Sequence, residues 1–258
     1  MVARYQALSL DLWFTAVSHP PGFEANWTEA RLDYLESALR DRSGRPPGRE
    51  ALRAALDQVG AELAGRDLNW GKIDPGEVLR QCADRLGATA PRGLEESMRE
   101  YSAAGLAEHP PTVNPELRSV LPALRDRGVP VIMITNTARR AATWKSMLHD
   151  RWGLVFDHVI ASCEVGKAKP DRAIFERASR LLGLPAAEIL HVGDRWELDV
   201  VGAQNAGFGA ALYRGLWGSY PPGMYPETDP GLVARSGVLC VDRLEELLED
   251  GLLAGPSA

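Results

Sequence analysis

Ala7-Leu8-Ser9-Leu10-Asp11-Leu12-Trp13-Phe14-Thr15 is a short apolar run that ends on a carboxylate. Ala7 to Leu10 has the length of a strand buried in a parallel sheet, and Asp11 stands where that strand stops. Working outward, similar runs recur at Val129 to Ile134, His158 to Ala161, Ile189 to Val192, Ala210 to Tyr213 and Val238 to Val241. Helical patterns separate most of them, at Pro115 to Arg127, Ala138 to Arg151, Asp171 to Leu182, Glu197 to Ala206 and Arg243 to Leu253. Strands alternating with helices predict an α/β fold with a doubly wound parallel sheet and right-handed crossovers.

One gap breaks the alternation. Between Asp11 and the second strand lie more than a hundred residues without a strand pattern. Apolar residues recur there at helical spacing: Trp27, Leu32, Leu35 and Leu39; Leu52, Leu56, Val59 and Leu63; Val78, Leu79, Cys82 and Leu86. Breaks at Gly44-Arg45-Pro46-Pro47-Gly48 and Asp74-Pro75-Gly76 separate them. The reading is an insertion of about four helices that ends near His109-Pro110-Pro111. Residues 1–14 and 110–258 then form the α/β core, and 15–109 a helical cap beside the carboxyl end of the first strand. A second irregular stretch, Gly215 to Gly237, is expected to loop near the same sheet edge.

The 258-residue length suits one large α/β domain with an insertion, and 45% apolar with 25% charged residues is ordinary for a soluble globular chain. A net charge of -6 argues against a nucleic-acid or acidic-membrane partner but leaves a small anionic substrate open. No signal-peptide run follows Met1 and no stretch reaches transmembrane length, so the cytoplasm is the expected location. Cys82, Cys163 and Cys240, widely spaced and without a CxxC pair, read as reduced core thiols. Only four basic residues are Lys (Lys72, Lys145, Lys167, Lys169), so a Lys in a loop stands out.

Four elements carry chemistry. Asp11 ends its strand at the sheet edge where open α/β folds bind ligands, and an Asp there can act as a covalent nucleophile. Thr135-Asn136-Thr137 follows the second strand and offers a hydroxyl and an amide to an anion, with Ala138 onward opening a helix. Gly166-Lys167-Ala168-Lys169-Pro170-Asp171 supplies a loop Lys able to balance a carboxylate or a phosphoryl group. Val192-Gly193-Asp194-Arg195-Trp196-Glu197-Leu198-Asp199 places two carboxylates a little over one helical turn apart, a hard-oxygen set suited to Mg²⁺. Taken singly, each has a plainer reading: an Asp or Thr caps a helix, and a loop Lys is solvated. Glu197 is read as pointing outward, and His191 as a satisfied core histidine.

In this order the set resembles the haloacid dehalogenase-like superfamily over nearly the whole chain, including Gly202-Ala203-Gln204-Asn205-Ala206-Gly207 after the last motif. The resemblance implies a Rossmann-like core with a helical cap inserted after Asp11. It also implies roles: Asp11 attacks the substrate, Thr135 and Asn136 bind it, and Lys169 balances charge. Mg²⁺ is held by Asp11, Asp194 and the backbone carbonyl of Trp13, and Asp199 orients its water. Lys167 is a neighbour, because the motif Lys directly precedes the proline.

Trp13 departs from the pattern. Phosphomonoesterases of the superfamily carry a second Asp there as general acid, a contribution of ~10²–10⁴ in rate; Trp13 has no proton to give. The first reading is a Mg²⁺-dependent hydrolase of a small phosphorylated substrate whose leaving group needs little protonation. The second is a carbon–halogen hydrolase, because the superfamily's L-2-haloacid dehalogenases carry an aromatic residue at this position, although they typically lack the Gly193-Asp194 pair. A phosphonatase needs a cap Lys, for which Lys72 is the one candidate, and a non-catalytic binding protein is a further option. Trp27, Tyr34 and Trp70 read as cap core, and both monomer and homodimer stay open.

Overall fold

The computed structural model describes residues 4–20, 22–66, 75–89, 93, 110–137, 139–220 and 228–255. By their contacts they fall into two units: 1–19, 112–135 and 140–258 in the first, 20–111 and 136–139 in the second.

The first unit is built on a six-stranded parallel sheet of β1 (Ala7–Leu10), β4 (Val131–Thr135), β5 (His158–Ala161), β6 (Ile189–Gly193), β7 (Gly209–Tyr213) and β8 (Leu239–Val241). A two-stranded antiparallel ribbon, β2 (Val17–Ser18) with β3 (Thr112–Val113), accompanies it. The sheet order is β5-β4-β1-β6-β7-β8. From β1 the chain builds outward on one side through β4 to β5. It then returns to the other side for β6, β7 and β8. The connections therefore diverge at β1, and the crevice such a switch point leaves at the carboxyl edge is where ligands enter this class of fold. Asp11, Thr135 and Asp194 end or follow β1, β4 and β6, three adjacent strands.

The strands form because their residues bury on both faces. All of β1, β4 and β6 is buried, which accounts for their near-continuous apolar sequence. On one face α7 (Arg172–Leu182) and α8 (Gly202–Asn205) contribute Ile174, Phe175, Ala178 and Ala203 to a core with Ala7, Ile132, Ile134 and Ile189. Also in this unit are α4 (Leu117–Asp126), with Val120, Leu121 and Leu124 buried, α5 (Ala141–Trp152), with Trp144 and Leu148 buried, and the short α6 (Ser162–Val165). Cys163 on α6 is exposed, unlike the expected core thiol, whereas Cys82 is buried.

The second unit holds α1 (Phe23–Ala38), α2 (Arg49–Arg66) and α3 (Pro75–Arg85). Its core is Leu32, Leu35, Leu39, Leu52, Leu56, Val59, Leu79 and Cys82, the residues whose helical spacing predicts it. Arg49 joins Glu29, Asp33 and Glu36 across α1 and α2 in exposed ion pairs that add little stability. Trp70, Lys72 and residues 94–109, the last part of the expected insertion, lie outside the described residues, as do the side chains of Trp27 and Leu63.

Other expectations need adjustment. The ribbon β2–β3 is unanticipated, because two-residue strands carry no periodicity, and it keeps Thr15 to His19 with the sheet instead of with the helices. The helix expected from Ala138 begins at Ala141. The expected Arg243 to Leu253 helix is a short 3₁₀ turn, Leu244–Leu248. Gly251 turns the chain at φ 85°, and the backbone of Gly251 and Leu252 accepts hydrogen bonds from Arg4 and Tyr5 instead. Within the second irregular stretch a short helix, α9 (Pro230–Ser236), is capped by Asp229.

Asn114 fastens the ribbon to the sheet. Its amide donates to the Thr15 carbonyl at 3.0 Å and to the Tyr213 hydroxyl on β7 at 2.8 Å, while its backbone N–H donates to Ala16. Asn114→Ala leaves two buried acceptors without this donor and is expected to cost about 1–3 kcal/mol, with Tyr213→Phe costing less. Urea denaturation measures both, and an unchanged midpoint for Asn114→Ala contradicts the assignment.

Candidate active site

Asp11 leaves β1 while still joined to the sheet, its N–H donating to the Val192 carbonyl at 2.9 Å. The chain then turns tightly. Ala16 and Val17 both donate to the Leu12 carbonyl, and Phe14 donates to Val17. Phe14 sits at φ 58°, the one non-glycine positive φ among the described residues, a conformation costing ~1–2 kcal/mol. Packing holds it there: its ring meets Tyr220 edge-on at 4.2 Å and His19 at 5.1 Å. Trp13, half-buried, stacks edge-on against His19 at 4.7 Å and against Trp144 at 5.6 Å. Trp13 is thus part of an aromatic wall.

Lys169 reaches the site from the loop before α7, joined to Pro170 by a cis peptide bond. It is 2% exposed; its ammonium donates to Asp11 Oδ1 and, at 2.5 Å, to Asp199 Oδ1. Two glycines permit this approach. A Cβ on Gly202 would lie 3.0 Å from Pro170 Cα, so the bare backbone lets α8 rest closely on the Lys-Pro loop without displacing it. A Cβ on Gly193 would lie 2.2 Å from Asp199 Cγ, so the carboxylate fills the place of a side chain. Asp199 rides on a π-helical turn, Trp196–Val201, where an α-helix is expected, and its Oδ2 accepts the Arg195 N–H at 2.9 Å.

Asp194 is the contrasting carboxylate. It is buried, and its Oδ2 has no hydrogen-bond partner, a costly state for a desolvated acceptor. Its carbonyl accepts from Trp217 Nε1 at 3.3 Å, so the irregular stretch after Gly215 does reach this edge. Asp11, Asp194 and Asp199 each offer an oxygen within 4.8 Å of one another. Thr135 ends β4 next to β1, fully buried, with its Oγ1 also without a partner. Asn136 is half-buried and groups by contacts with the second unit. Lys167 is exposed, 3.4 Å from Asp171, and Glu197 is exposed as expected.

Burial and charge together set the acidities. Three carboxylates gather about one buried ammonium, which contacts Asp11 and Asp199, so the fully ionised set would carry two uncompensated negative charges. Burial, aided by Asp199 and opposed by Lys169, pushes the Asp11 carboxyl up to about 6. Burial together with Asp11 and Asp199 raises Asp194 well above the carboxylate range. Burial pushes Asp199 the same way, but Lys169 and His191 outweigh it and hold its carboxyl well below the usual range. Burial also opposes the charge on Lys169, yet Asp11 and Asp199 keep its acidity weaker than that of an ordinary lysine.

Sequence reasoning left His191, Ser9, His19, Trp217 and Tyr220 out of the site. Ser9 meets His191, and Trp217 and Tyr220 meet Asp194 and Phe14, across distant segments, and among them only the loop position of Trp217 and Tyr220 carried a signal.

A parallel sheet with a switch point at β1, its carboxyl edge gathering three buried carboxylates about one buried lysine, fits a hydrolase of α/β fold. The chain belongs to the haloacid dehalogenase-like hydrolase family, whose profile matches residues 15–207. It is 25% identical over 215 residues to glyceraldehyde 3-phosphate phosphatase of Methanopyrus kandleri, covering 78% of this chain and 86% of that protein. Among solved structures, a HAD phosphatase from Thermococcus onnurineus superposes with a TM-score of 0.62 at 21% identity, covering 96% of this chain and 99% of the other. A 2-haloacid dehalogenase from Pseudomonas syringae pv. Tomato DC3000 does so with a TM-score of 0.61 at 21% identity, covering 95% and 96%. The protein is a hydrolase of α/β fold, and among the described residues no helix is long and apolar enough to cross a membrane.

A stability test follows from Asp11. Its folded value of about 6 lies above the ordinary 3.8, so its protonation favours the fold. That contribution is complete below about pH 4 and lost as the pH rises through about 6. In chelator, Asp11→Asn is expected to exceed the parent in stability at pH 7 by about 1–3 kcal/mol, the gain shrinking toward pH 4. Urea melts giving the same difference at both pH values contradict this.

Proposed function

We propose that the protein hydrolyses a small phosphorylated metabolite through an aspartyl-phosphate on Asp11, with Mg²⁺ as cofactor. The observation that carries this reading is the unpartnered, buried Asp194 Oδ2 beside an uncompensated carboxylate set. A hard divalent cation satisfies both the empty acceptor and the excess charge, and halide displacement needs neither. Asp11, Asp194 and the Trp13 carbonyl would hold the ion, with Asp199 next to them orienting its water. Bound Mg²⁺ supplies charge neutralisation for the phosphoryl oxygens.

The chain's own residues do the rest. Lys169 engages Asp11 Oδ1, which leaves Oδ2 to attack phosphorus as the leaving group departs. Thr135 Oγ1, buried without a protein partner, is a donor for a phosphoryl oxygen. Lys169 offsets the charge gathered on Asp11 and the phosphoryl group. Water then cleaves the acyl phosphate and restores Asp11. Trp13 offers no proton, so the reading selects substrates whose leaving group departs as a stable anion. The Methanopyrus relative's phosphatase activity supports phosphoryl chemistry. The second unit acts as the cap in this reading, and the three free thiols suit a reducing cytoplasm.

The apolar stack of Trp13 on His19 and Trp144 favours a second reading, carbon–halogen hydrolysis, in which no leaving-group proton is required.

Phosphate and halide release from acetyl phosphate, p-nitrophenyl phosphate, simple alkyl phosphates and 2-haloacids separates the two. Expected is Mg²⁺-dependent phosphate release that chelator and Asp11→Asn abolish. Good leaving groups should exceed alkyl ones by about 10²–10⁴, the share a general acid carries, and Trp13→Asp should narrow that gap. Chelator-insensitive halide release without phosphate release contradicts the proposal, and absence of all turnover points to a binding protein.

A further inference from the structure

Behind the reacting groups runs a line of buried contacts whose far end, Ser9 and His191, the proposed steps do not use. Ser9 and His191 are register partners on β1 and β6, and Ser9 Oγ lies 2.6 Å from His191 Nδ1. His191 Nε2 lies 3.1 Å from Asp199 Oδ1, which also receives Lys169 at 2.5 Å. Lys169 in turn holds Asp11. Ser9, His191, Asp199 and Lys169 are each at most 2% exposed, so solvent does not stand in for a missing member.

The hydrogen positions follow from the partners. Ionised Asp199 can only accept, so His191 Nε2 must carry a hydrogen. Burial keeps the imidazole neutral, which leaves Nδ1 bare to accept the Ser9 hydroxyl. The ring's plane is set by Phe175, edge-on at 5.2 Å.

Space follows the same plan. His191 and Gly193 are two residues apart on β6 and share a face. Gly193 leaves that face open for the Asp199 carboxylate, whose Cγ would lie 2.2 Å from a Cβ built there. The carboxylate therefore sits in a slot with the bare backbone of Gly193 at its back, the Arg195 N–H on Oδ2 and His191 on Oδ1.

We propose that His191, pinned by Ser9, is a positioning residue: it fixes the Asp199 carboxylate in this slot and thereby aims Lys169 at Asp11 Oδ1. The role rests on the reading of Asp11 as the nucleophile. Without the Nε2 donor, Asp199 Oδ1 keeps Lys169 as its one strong donor, and the ammonium is drawn from Asp11 toward Asp199. Chemistry slows while substrate binding persists.

The test uses the full chain with Mg²⁺ and acetyl phosphate, comparing His191→Phe, His191→Gln and Ser9→Ala. Phe keeps a ring against Phe175 but no donor; Gln keeps an N–H within reach of Asp199. His191→Phe is expected to lower kcat about 10–100-fold, the usual scale for losing a supporting hydrogen bond, with KM little changed. Gln should recover most of the loss, and Ser9→Ala should show a smaller fall in kcat. Nitrogen-15 spectra of the metal-free parent should place the histidine hydrogen on Nε2. Wild-type kcat in His191→Phe, equal losses in Phe and Gln, or a hydrogen on Nδ1 with Nε2 bare overturns the proposal. If His191→Phe does not fold, an unchanged kcat in Ser9→Ala together with an impaired His191→Gln overturns it as well. A parent that releases no phosphate but shows Nε2–H sinks the phosphatase reading and leaves the Asp199 slot standing.

Discussion

An ammonium buried to 2% exposure keeps its charge only with carboxylates in direct contact, and Lys169 with Asp11 and Asp199 is such a set. Much of the surrounding architecture can be traced to that requirement. The sheet must bring β1 and β6 together so that Asp11 and the Asp194–Asp199 segment meet. The Lys-Pro loop must approach closely, which the bare backbone of Gly202 allows. The turn carrying Asp199 must fold back over Gly193, and the π-helical turn Trp196–Val201 does this where a regular α-helix was expected. Because three carboxylates face one ammonium, the set is not closed. Burial, with the neighbouring carboxylates, raises Asp11 and Asp194, while Lys169 and His191 hold Asp199 ionised, so three carboxylates of one kind are set apart by environment alone.

The segment after Asp11 shows the opposite economy. Phe14 occupies a backbone region that costs a bulky residue energy, and it is held by Tyr220 and His19. The strain sits one residue beyond Trp13, which itself rests on His19 and Trp144. Under the proposed phosphoryl chemistry, the turn sets an aromatic wall where a proton donor would serve a poor leaving group, while Asp11, Asp194 and Asp199 stay gathered beside it.

Much of this was legible before any coordinates. β1 and β5 fall on Ala7–Leu10 and His158–Ala161 as read, because buried parallel strands are apolar runs with polar ends. The core of α1 to α3 follows from leucine spacing alone. Asp11, Lys169, Asp194 and Asp199 were legible as an ordered set, and their side chains do converge. What escaped the sequence depends on register and reach. His191 meets Ser9 across 182 positions, and Trp217 meets Asp194 from a segment without periodicity. The ribbon β2–β3 joins residues too few to show alternation, which is why residues 15–19 read as part of the insertion. The left-handed Phe14 had no signal either, since that conformation normally announces itself with glycine.

If Asp11 is the proposed nucleophile, it becomes covalently phosphorylated during turnover. The direct measurement is acid-quenched, single-turnover reaction with acetyl phosphate and Mg²⁺, followed by peptide mass spectrometry. A phosphoryl group is expected on the peptide carrying Asp11, forming before, and decaying with, the release of phosphate. Phosphate release with no adduct at any time, or an adduct on another residue, contradicts it.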